Sequence, residues 1–313
     1  MLLVYPDYYP EFKCIASACK HSCCIGWEID IDPESLVRFQ AIEGPMGERL
    51  ARSISMEEEP HFILGNQERC PFLNQEGLCD LILYGGEEIL CQICTDHPRY
   101  RNFLPGRTEV GVGLCCEAAG RLILSRKEPV TLCVNVEEVE QEEENLPLQE
   151  LRQDAFDIAQ DRTRTVTERE EALLEHFLGW VPELSASQWA DIYLDLERLD
   201  EAWTAVLKDL RSYGDSVDMD GFSQYMTGRE EEYEQLLVYF LYRHFLTAYE
   251  DGDVGSKVSF AVLSTRMIRL LGALHWQKTG TFTLEDQVEY ARMYSAEIEY
   301  SQDNLDTLFT MVM

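Results

Sequence analysis

Basic residues and long apolar runs are both scarce in this chain. Lysine and arginine number 26 against 58 aspartates and glutamates, which gives a formal charge of −32. Such charge serves solubility, repels the phosphate backbone of nucleic acid and attracts a partner that presents lysine. The most apolar stretch, residues 236–246, contains Arg243 and His244 and falls short of the roughly 18 residues that a membrane span needs. We expect no nucleic-acid partner and no membrane insertion.

A secretory signal is also missing, because residues 1–10 have neither a basic region nor a long apolar core. The eleven cysteines are odd in number and include two adjacent pairs, which does not suit a disulfide framework. We therefore expect a cytoplasmic protein. Thiols stay reduced in that compartment, and a dense set of cysteines is more typical there of metal binding.

Cysteine is absent from the last 180 residues, and this absence divides the chain. Apolar residues there recur at helical spacing between Gly and Pro breakers. They predict helices over about 147–160, 166–180, 186–212, 228–250, 255–277, 283–298 and 302–311. The acidic run at 137–144 is typical of a solvated connector.

The patterns predict a mainly α fold in three parts. These are a loop-rich, metal-organised cysteine domain at 1–136, an acidic linker at 137–146 and an all-helical domain at 147–313. In the first part, short helices are expected at about 33–42, 46–55, 86–94 and 116–126, with a strand at 27–32 where apolar and acidic residues alternate. Metal–thiolate bonds could organise such loop-rich chain, because binding free energy becomes folding free energy.

The cysteines follow the pattern C-x4-C-x3-C-C at 14–24 and C-P-F-L-x5-C at 70–79, then Cys94 before HPR and Cys115 in CCEAAGR. Four thiolates around one centre are the rule for structural zinc and for [4Fe-4S] clusters alike. Side chains of neighbouring residues tend to point in different directions. The adjacent Cys23 and Cys24 therefore favour two metal centres over one. Zinc, iron–sulfur and a set of buried free or redox thiols all remain open. The C-x3-C-x2-C loop of ordinary radical enzymes is absent, since Gly26 occupies its third position.

These motifs in this order resemble the flagellin lysine-N-methylase family, which is itself similar to zinc- or iron-chelating proteins with an eight-cysteine cluster. The resemblance continues in residues 239–246, 257–264 and 284–305. It implies methyl transfer from S-adenosylmethionine to lysines of flagellin, or of another lysine-bearing protein, with a cysteine-bound metal centre. The implied metal ligands are Cys14, Cys19, Cys23, Cys24, Cys70, Cys79, Cys94 and Cys115, which leaves Cys91, Cys116 and Cys133 as extras.

Candidate catalytic groups lie in the second half of the chain. A lysine ammonium of pKa about 10.4 must lose its proton before it attacks a methyl group, which costs roughly 4–5 kcal/mol at pH 7. We predict His244 and Tyr242 as catalytic groups that help with this step. Arg243 and Arg99 are predicted to bind the cofactor, although Arg99 could also neutralise a cluster's charge. A buried hydrogen-bond network is the alternative for residues 242–244.

A readable cofactor loop is missing, because the GVG at 111–113 is followed by Cys116 where a third glycine would stand. This absence keeps a second interpretation open, a non-enzymatic zinc- or iron-binding module with a helical partner-binding domain. Among the aromatic residues, Trp27 could face a cationic sulfonium or a methylated amine, or close a small core.

Overall fold

The computed structural model describes residues 2–57, 59–136 and 146–313. Its strands are β1 (Leu2–Pro6), β2 (Ile54–Ser55), β3 (His61–Phe62), β4 (Arg99–Leu104), β5 (Arg107–Val112) and β6 (Leu132–Val136). The first helices are α1 (Pro33–Gln40), α2 (Gly44–Ser53), α3 (Asp80–Gly85), α4 (Gln92–Asp96) and α5 (Glu117–Leu124). Later helices are α6 (Leu146–Ala159), α7 (Val166–His176), α8 (Ala186–Asp195), α9 (Glu201–Tyr213), α10 (Met219–Tyr225), α11 (Glu231–His244), α12 (Ala248–Asp251), α13 (Val254–Thr279), α14 (Leu284–Ile298) and α15 (Gln302–Met311).

The chain separates into two compact units. Unit 1 contains Met1–Phe12, Arg101–Cys115 and Ala119–Met313, and unit 2 contains Lys13–Tyr100 and Cys116–Ala118. This division differs from the predicted domains at 1–136 and 147–313, because the chain enters unit 1 first and returns to it after residue 100. The predicted linker at 137–146 lies outside the described residues, apart from Leu146 at the start of α6.

A four-stranded sheet in the order β4–β5–β1–β6 explains why the N-terminus folds in unit 1. In this sheet β1 is parallel to β5, with Val4 opposite Glu109, and antiparallel to β6, with Tyr5 opposite Cys133. The prediction of a mainly helical fold is confirmed, but this sheet in the N-terminal region was not predicted. Parallel pairing joins residues about a hundred positions apart, and local periodicity does not reveal such a partner.

The helices of unit 1 begin at capping residues that the sequence displays. The side-chain hydroxyls of Thr165, Ser185 and Thr283 each accept a hydrogen bond from the backbone N–H of the third helical residue. Their own backbone N–H groups donate to the side chain of that residue, which completes a capping box. The helix predicted over 186–212 is interrupted between α8 and α9. There the Glu297 carboxylate accepts the N–H groups of Leu199 and Asp200, each at 2.8 Å, so a tertiary contact ends the helix.

The interior of unit 1 is built around α11 and α13. In α11, 12 of the 14 residues are buried, which exceeds the single apolar stripe of a surface helix. Its buried residues include charged and hydroxyl side chains as well as Phe240 and Leu236. Each of these polar groups therefore needs a partner inside the protein.

Unit 2 combines four short helices, α1 to α4, with the β2–β3 hairpin. Its apolar core contains Phe39, Leu50, Phe62, Phe72 and Leu81 together with cysteines. The strand predicted at 27–32 is not formed, since Asp30 makes only an isolated bridge to His61. The helix predicted at 86–94 is replaced by a 3₁₀ turn and the short α4, with Cys91 extended between them.

Among the helices that the structure describes, none has the length and hydropathy required to cross a membrane.

Candidate functional site

The structure distributes the predicted metal ligands over both units. Cys115 lies in unit 1, whereas the other seven lie in unit 2 together with Cys91 and Cys116. All eleven cysteines of the chain are free thiols. Within unit 2 the cysteines form two groups.

The first group, here called the core thiols, lies in or against the apolar core of unit 2 and consists of Cys24, Cys70, Cys79, Cys91 and Cys94. The Sγ atoms of Cys91 and Cys94 are 3.4 Å apart. The backbone N–H of Cys70 donates to the carbonyl of Cys24 at 2.8 Å, and Cys24 interacts electrostatically with Cys70, Cys79 and Cys94. Three distant sequence segments thus place their sulfurs in one interior.

Burial sets the protonation of the core thiols. It raises the pKa of Cys70 to about 12 and also raises that of Cys79. The hydrogen bond between Cys91 and Cys94 raises the pKa of Cys94 and lowers that of Cys91. A bound cation would reverse this balance, because it stabilises the thiolate form directly.

The second group, here called the loop thiols, consists of Cys14, Cys19, Cys23 and Cys116. Cys23 interacts electrostatically with Cys14 and Cys116, and Cys19 interacts with Cys116. Glu117 holds this loop, because its Oε2 accepts the backbone N–H of Lys20 at 2.9 Å and lies 3.7 Å from the Cys19 sulfur. Burial raises the pKa of Cys19 to about 11.

The adjacent cysteines connect the two groups. The side chains of Cys23 and Cys24 are hydrogen-bonded to each other, while Cys24 also interacts with core thiols and Cys23 with loop thiols. Cys91 and Cys116, which the sequence analysis left without a role, each join one group. The C-x2-C spacing of Cys91 and Cys94 was the signal that could have identified Cys91. Of the adjacent Cys115 and Cys116, Cys115 is the predicted ligand, whereas Cys116 is the one that interacts with the loop thiols.

Both groups suit a soft metal in their chemistry, because their donors are all sulfur. Nevertheless, in the described ranges 2–57, 59–136 and 146–313, no three His, Cys, Asp or Glu side chains are arranged closely enough to hold a metal ion. Metal binding would therefore have to draw the sulfurs together. The metal ligands remain a prediction, and the core thiols fit it best because they share one buried environment.

A buried carboxylate organises the predicted catalytic residues of unit 1. Glu299 accepts hydrogen bonds from the hydroxyls of Tyr239 at 2.9 Å and Ser295 at 2.6 Å. Its other oxygen lies 2.8 Å from Nε2 of His244 and 3.2 Å from Nε of Arg243. We call these five residues the Glu299 network. Burial alone would raise the pKa of Glu299, but Arg243 and His244 outweigh it and the pKa is lowered.

His244 and Tyr242 both lie in the interior of unit 1. Burial lowers the pKa of His244 against the opposing effect of Glu299, and its ring contacts Phe260 and Phe309. The Tyr242 hydroxyl lies 3.0 Å from the carbonyls of Val4 and Val110, in β1 and β5. These are the contacts of the buried network that was the alternative interpretation, so the catalytic roles remain predictions.

Arg243 is paired inside unit 1. Its Nη1 donates to the Tyr239 hydroxyl at 2.8 Å, and its guanidinium lies 5.2 Å from the centre of the Tyr300 ring. A Cβ at Gly113 would lie 2.6 Å from the Tyr300 hydroxyl and 3.2 Å from the sulfur of Cys115. Gly113 is therefore required for close packing, which gives the GVG segment a structural explanation.

Arg99 lies in unit 2, at the first position of β4. Its Nη1 donates to the backbone carbonyl of Thr95, next to Cys94, at 3.2 Å. The contact places Arg99 beside the segment that carries a core thiol. Its predicted cofactor-binding role remains a prediction.

Residues 182–312 match the family model described as the FliB lysine N-methylase C-terminal domain. Two relatives named lysine-N-methylase, from Salmonella typhimurium strain LT2 and Salmonella choleraesuis strain SC-B67, are 24% identical over 137 residues, which cover 41% of this chain and 33% of each relative. The flagellar biosynthetic protein FliU of Salmonella muenchen is also 24% identical over 137 residues, covering 79% of its length. No solved structure matches this chain.

The resemblance to the flagellin lysine-N-methylase family is thereby confirmed. The match spans about a third of the length of the two lysine-N-methylases. Its region, residues 182–312, contains α8 to α15 and every member of the Glu299 network. The cysteine motifs that first indicated the family lie outside that region.

Proposed function

We propose that this chain is a protein lysine N-methyltransferase that transfers a methyl group from S-adenosylmethionine to lysines of flagellin. The observation that carries the proposal is the match of residues 182–312 to the C-terminal domain of the lysine N-methylases. Those residues also contain the Glu299 network, in which the predicted catalytic residue His244 lies.

The proposal includes a cysteine-bound metal centre, for which we favour an iron–sulfur cluster over zinc. Cys24, Cys70, Cys79 and Cys94 would hold one centre, with Cys91 next to Cys94. A second site would use Cys14, Cys19, Cys23 and Cys116. When bound, such centres supply cross-links between loops, and an iron–sulfur cluster also supplies one-electron chemistry.

The described residues bear on one part of the reaction, the proton of the lysine. Burial keeps the pKa of His244 low, so its ring is neutral at pH 7 and able to accept a proton. The Glu299 carboxylate at 2.8 Å would stabilise the imidazolium that results. The Tyr242 hydroxyl is hydrogen-bonded to backbone carbonyls of β1 and β5. Its role would therefore be to hold α11 against the sheet.

The described residues of the Glu299 network do not offer an evident binding site for the methyl donor. A donor carboxylate needs a cationic partner, but Arg243 is already paired with Glu299 and Tyr239. The arrangement therefore does not present Arg243 as a ready carboxylate site, and the donor's binding residues remain a prediction.

Flagellin from cells with and without the gene provides the test. Mass spectrometry is expected to show lysines heavier by one or more methyl groups only when the gene is present. A gene copy carrying Glu299→Gln serves as the matched control, and it is expected to leave the lysines unmodified. Identical lysine masses in all three strains would remove the proposal.

The competing proposal is a non-enzymatic metal-binding module whose helical part recruits a partner. The interior hydrogen bonds of Tyr242 and His244 favour it, since neither group reaches a substrate in this arrangement. Isothermal titration of the metal-loaded protein with S-adenosylmethionine separates the two. Binding heat supports the enzyme, whereas its absence supports the module.

A further inference from the structure

A cleft of about 370 Å³ opens on the surface of unit 2. Its lining includes Gly26, Trp27, Glu28, His61, Ile63 and Glu68. This volume lies near the lower end of small-molecule sites. It therefore suits one long side chain or a small amine better than a whole nucleotide cofactor.

Two paired segments form the walls of this cleft. The N–H of Gly26 donates to the carbonyl of Glu68 at 3.1 Å, and Ile25 bridges Arg69. Gln67 and Glu68 have φ angles of 58° and 52°, in the left-handed region, which costs about 1–2 kcal/mol for each such residue. The pairing holds this strained turn and so fixes where Glu68 stands. The same segments continue into the core thiols Cys24 and Cys70.

Trp27 is held from two sides. Its indole N–H donates to the backbone carbonyl of Cys23, and its ring lies 5.5 Å from the ring of His97. Burial lowers the pKa of His97 to about 4, so that ring carries no positive charge at pH 7. The Trp27 ring is thereby held in place, and the neutral His97 ring does not compete with a cationic ligand for it.

Carboxylates supply the charge of the cleft. The side chain of Glu28 is 64% exposed and its Oε1 lies 3.3 Å from Nδ1 of His61, while Glu68 is also exposed. The described residues that line the cleft include no lysine and no arginine. A fixed aromatic face beside carboxylates attracts an alkylammonium group, through the ring quadrupole and through charge-assisted hydrogen bonds.

We propose that this cleft binds the side chain of a protein lysine, with Trp27 along its aliphatic stem and Glu28 and Glu68 pairing with its ammonium group. The aromatic and acidic lining of the cleft is sufficient to argue for an alkylammonium ligand, without the proposed function. The choice of a protein lysine among alkylammonium ligands rests on the proposed function. Unit 2 would then contribute to recognition of the protein partner as well as containing the cysteines.

The test compares two probes on the full-length, metal-loaded protein without methyl donor. Nα-acetyl-lysine amide carries the ammonium group, and Nα-acetyl-norleucine amide has a similar stem without the charge. Binding is followed by NMR at the indole N–H of Trp27, which Trp27→Phe identifies. We expect the lysine probe to shift this signal in a saturable way and the norleucine probe to leave it in place.

Charge-removing variants sharpen the test. Glu28→Gln and Glu68→Gln keep the size of the side chains, and each is expected to weaken binding of the lysine probe about two- to fivefold, as for exposed ion pairs. Glu57→Gln removes a neighbouring exposed carboxylate outside the cleft lining and is expected to leave the affinity unchanged. Equal shifts with both probes, or wild-type affinity in the Glu28→Gln/Glu68→Gln double variant, would overturn the proposal.

Failure of the cleft and failure of the proposed function give different results. Lysine binding that depends on Glu28 and Glu68, in a protein that never methylates flagellin, retains the cleft and removes the enzyme. Methyl transfer with an unchanged KM for flagellin in the double variant removes the cleft and retains the enzyme.

Discussion

Unit 1 and unit 2 bury polar chemistry in different ways. Unit 1 buries several glutamates, and four of them each pair with two basic side chains: Glu109 with Arg107 and Arg152, Glu170 with Arg266 and Arg269, Glu234 with Arg162 and Arg169, and Glu299 with Arg243 and His244. Unit 2 places sulfur in its interior, in the core thiols. The polypeptide itself neutralises the charges of unit 1. In unit 2, burial raises the pKa of Cys70 and Cys79, and a bound cation would favour the thiolate form of these side chains.

This difference teaches where each unit should be vulnerable. A buried carboxylate and its basic partners contribute little to stability as a set, but removing one member leaves the others uncompensated. A thiolate site loses its organising bond when the metal leaves. Unit 1 should therefore respond most to substitution of its glutamates, and unit 2 to metal removal.

The largest effect is expected from losing the metal that we propose for unit 2. Cys79→Ser removes a core thiol, and we expect it to abolish stoichiometric metal and to unfold unit 2, because structural metal sites contribute on the order of 10 kcal/mol. Unit 1 should keep its helices. Elemental analysis combined with hydrogen exchange of each unit measures both effects.

The matched control is Cys133→Ser in β6 of unit 1, which should keep the metal and the fold. Equal metal content in the two variants would contradict the assignment of Cys79 as a ligand.

Next in size is the loss of a buried carboxylate in unit 1. Glu299→Gln leaves Arg243 without its counter-charge, and we expect the free energy of unfolding to fall by about 3–5 kcal/mol. Glu285→Gln breaks an exposed pair with Arg121 and should cost less than about 1 kcal/mol. Urea denaturation of both variants measures the difference. Similar losses in the two would mean that Glu299 does not organise unit 1.

A smaller effect is expected at the close contact of Gly113. In Gly113→Ala the new Cβ would meet the Tyr300 hydroxyl at 2.6 Å, and overpacking of this kind costs about 1–3 kcal/mol. Combining it with Tyr300→Phe removes the hydroxyl and should recover part of the loss, measured as a double-mutant cycle. Purely additive effects would show that the contact is not the cause.

The smallest expected effect is a pH dependence of the stability of unit 1. Burial lowers the pKa of His244 below its ordinary value of 6.5. Between the lowered pKa of the folded state and 6.5, the unfolded chain binds a proton that the folded chain does not. The stability that the neutral ring contributes is therefore fully present above about pH 6.5 and declines as the pH falls. We expect the free energy of unfolding to decrease from pH 7 to pH 5.5.

His244→Gln should flatten this slope, whereas His176→Gln, at an exposed histidine of α7, should leave it unchanged. Unfolding measured by urea at several pH values compares the three proteins. A wild-type slope in His244→Gln would assign the dependence to other groups.

Local signals determined most of the helices and some of the chemistry. The capping residue Thr165 begins α7 with a capping box. Glycine ends α13 at Gly280, in the left-handed conformation. The cysteine spacing and the apolar stretch with Tyr242, Arg243 and His244 were likewise visible in the sequence. These features depend on residues within a few positions of one another, and short-range physics suffices to predict them.

Contacts between distant residues decided the rest. The partner of His244 is Glu299, 55 positions along the chain, and the partner of β1 is β5, about a hundred positions away. Tertiary packing also brought Cys91 and Cys116 into thiol groups that spacing had not assigned to them. The sequence by itself determined which residues could form helices and which could ligate metal or bear charge. Only the tertiary structure decided their partners, because pairing across long stretches of chain depends on the packing of the whole unit.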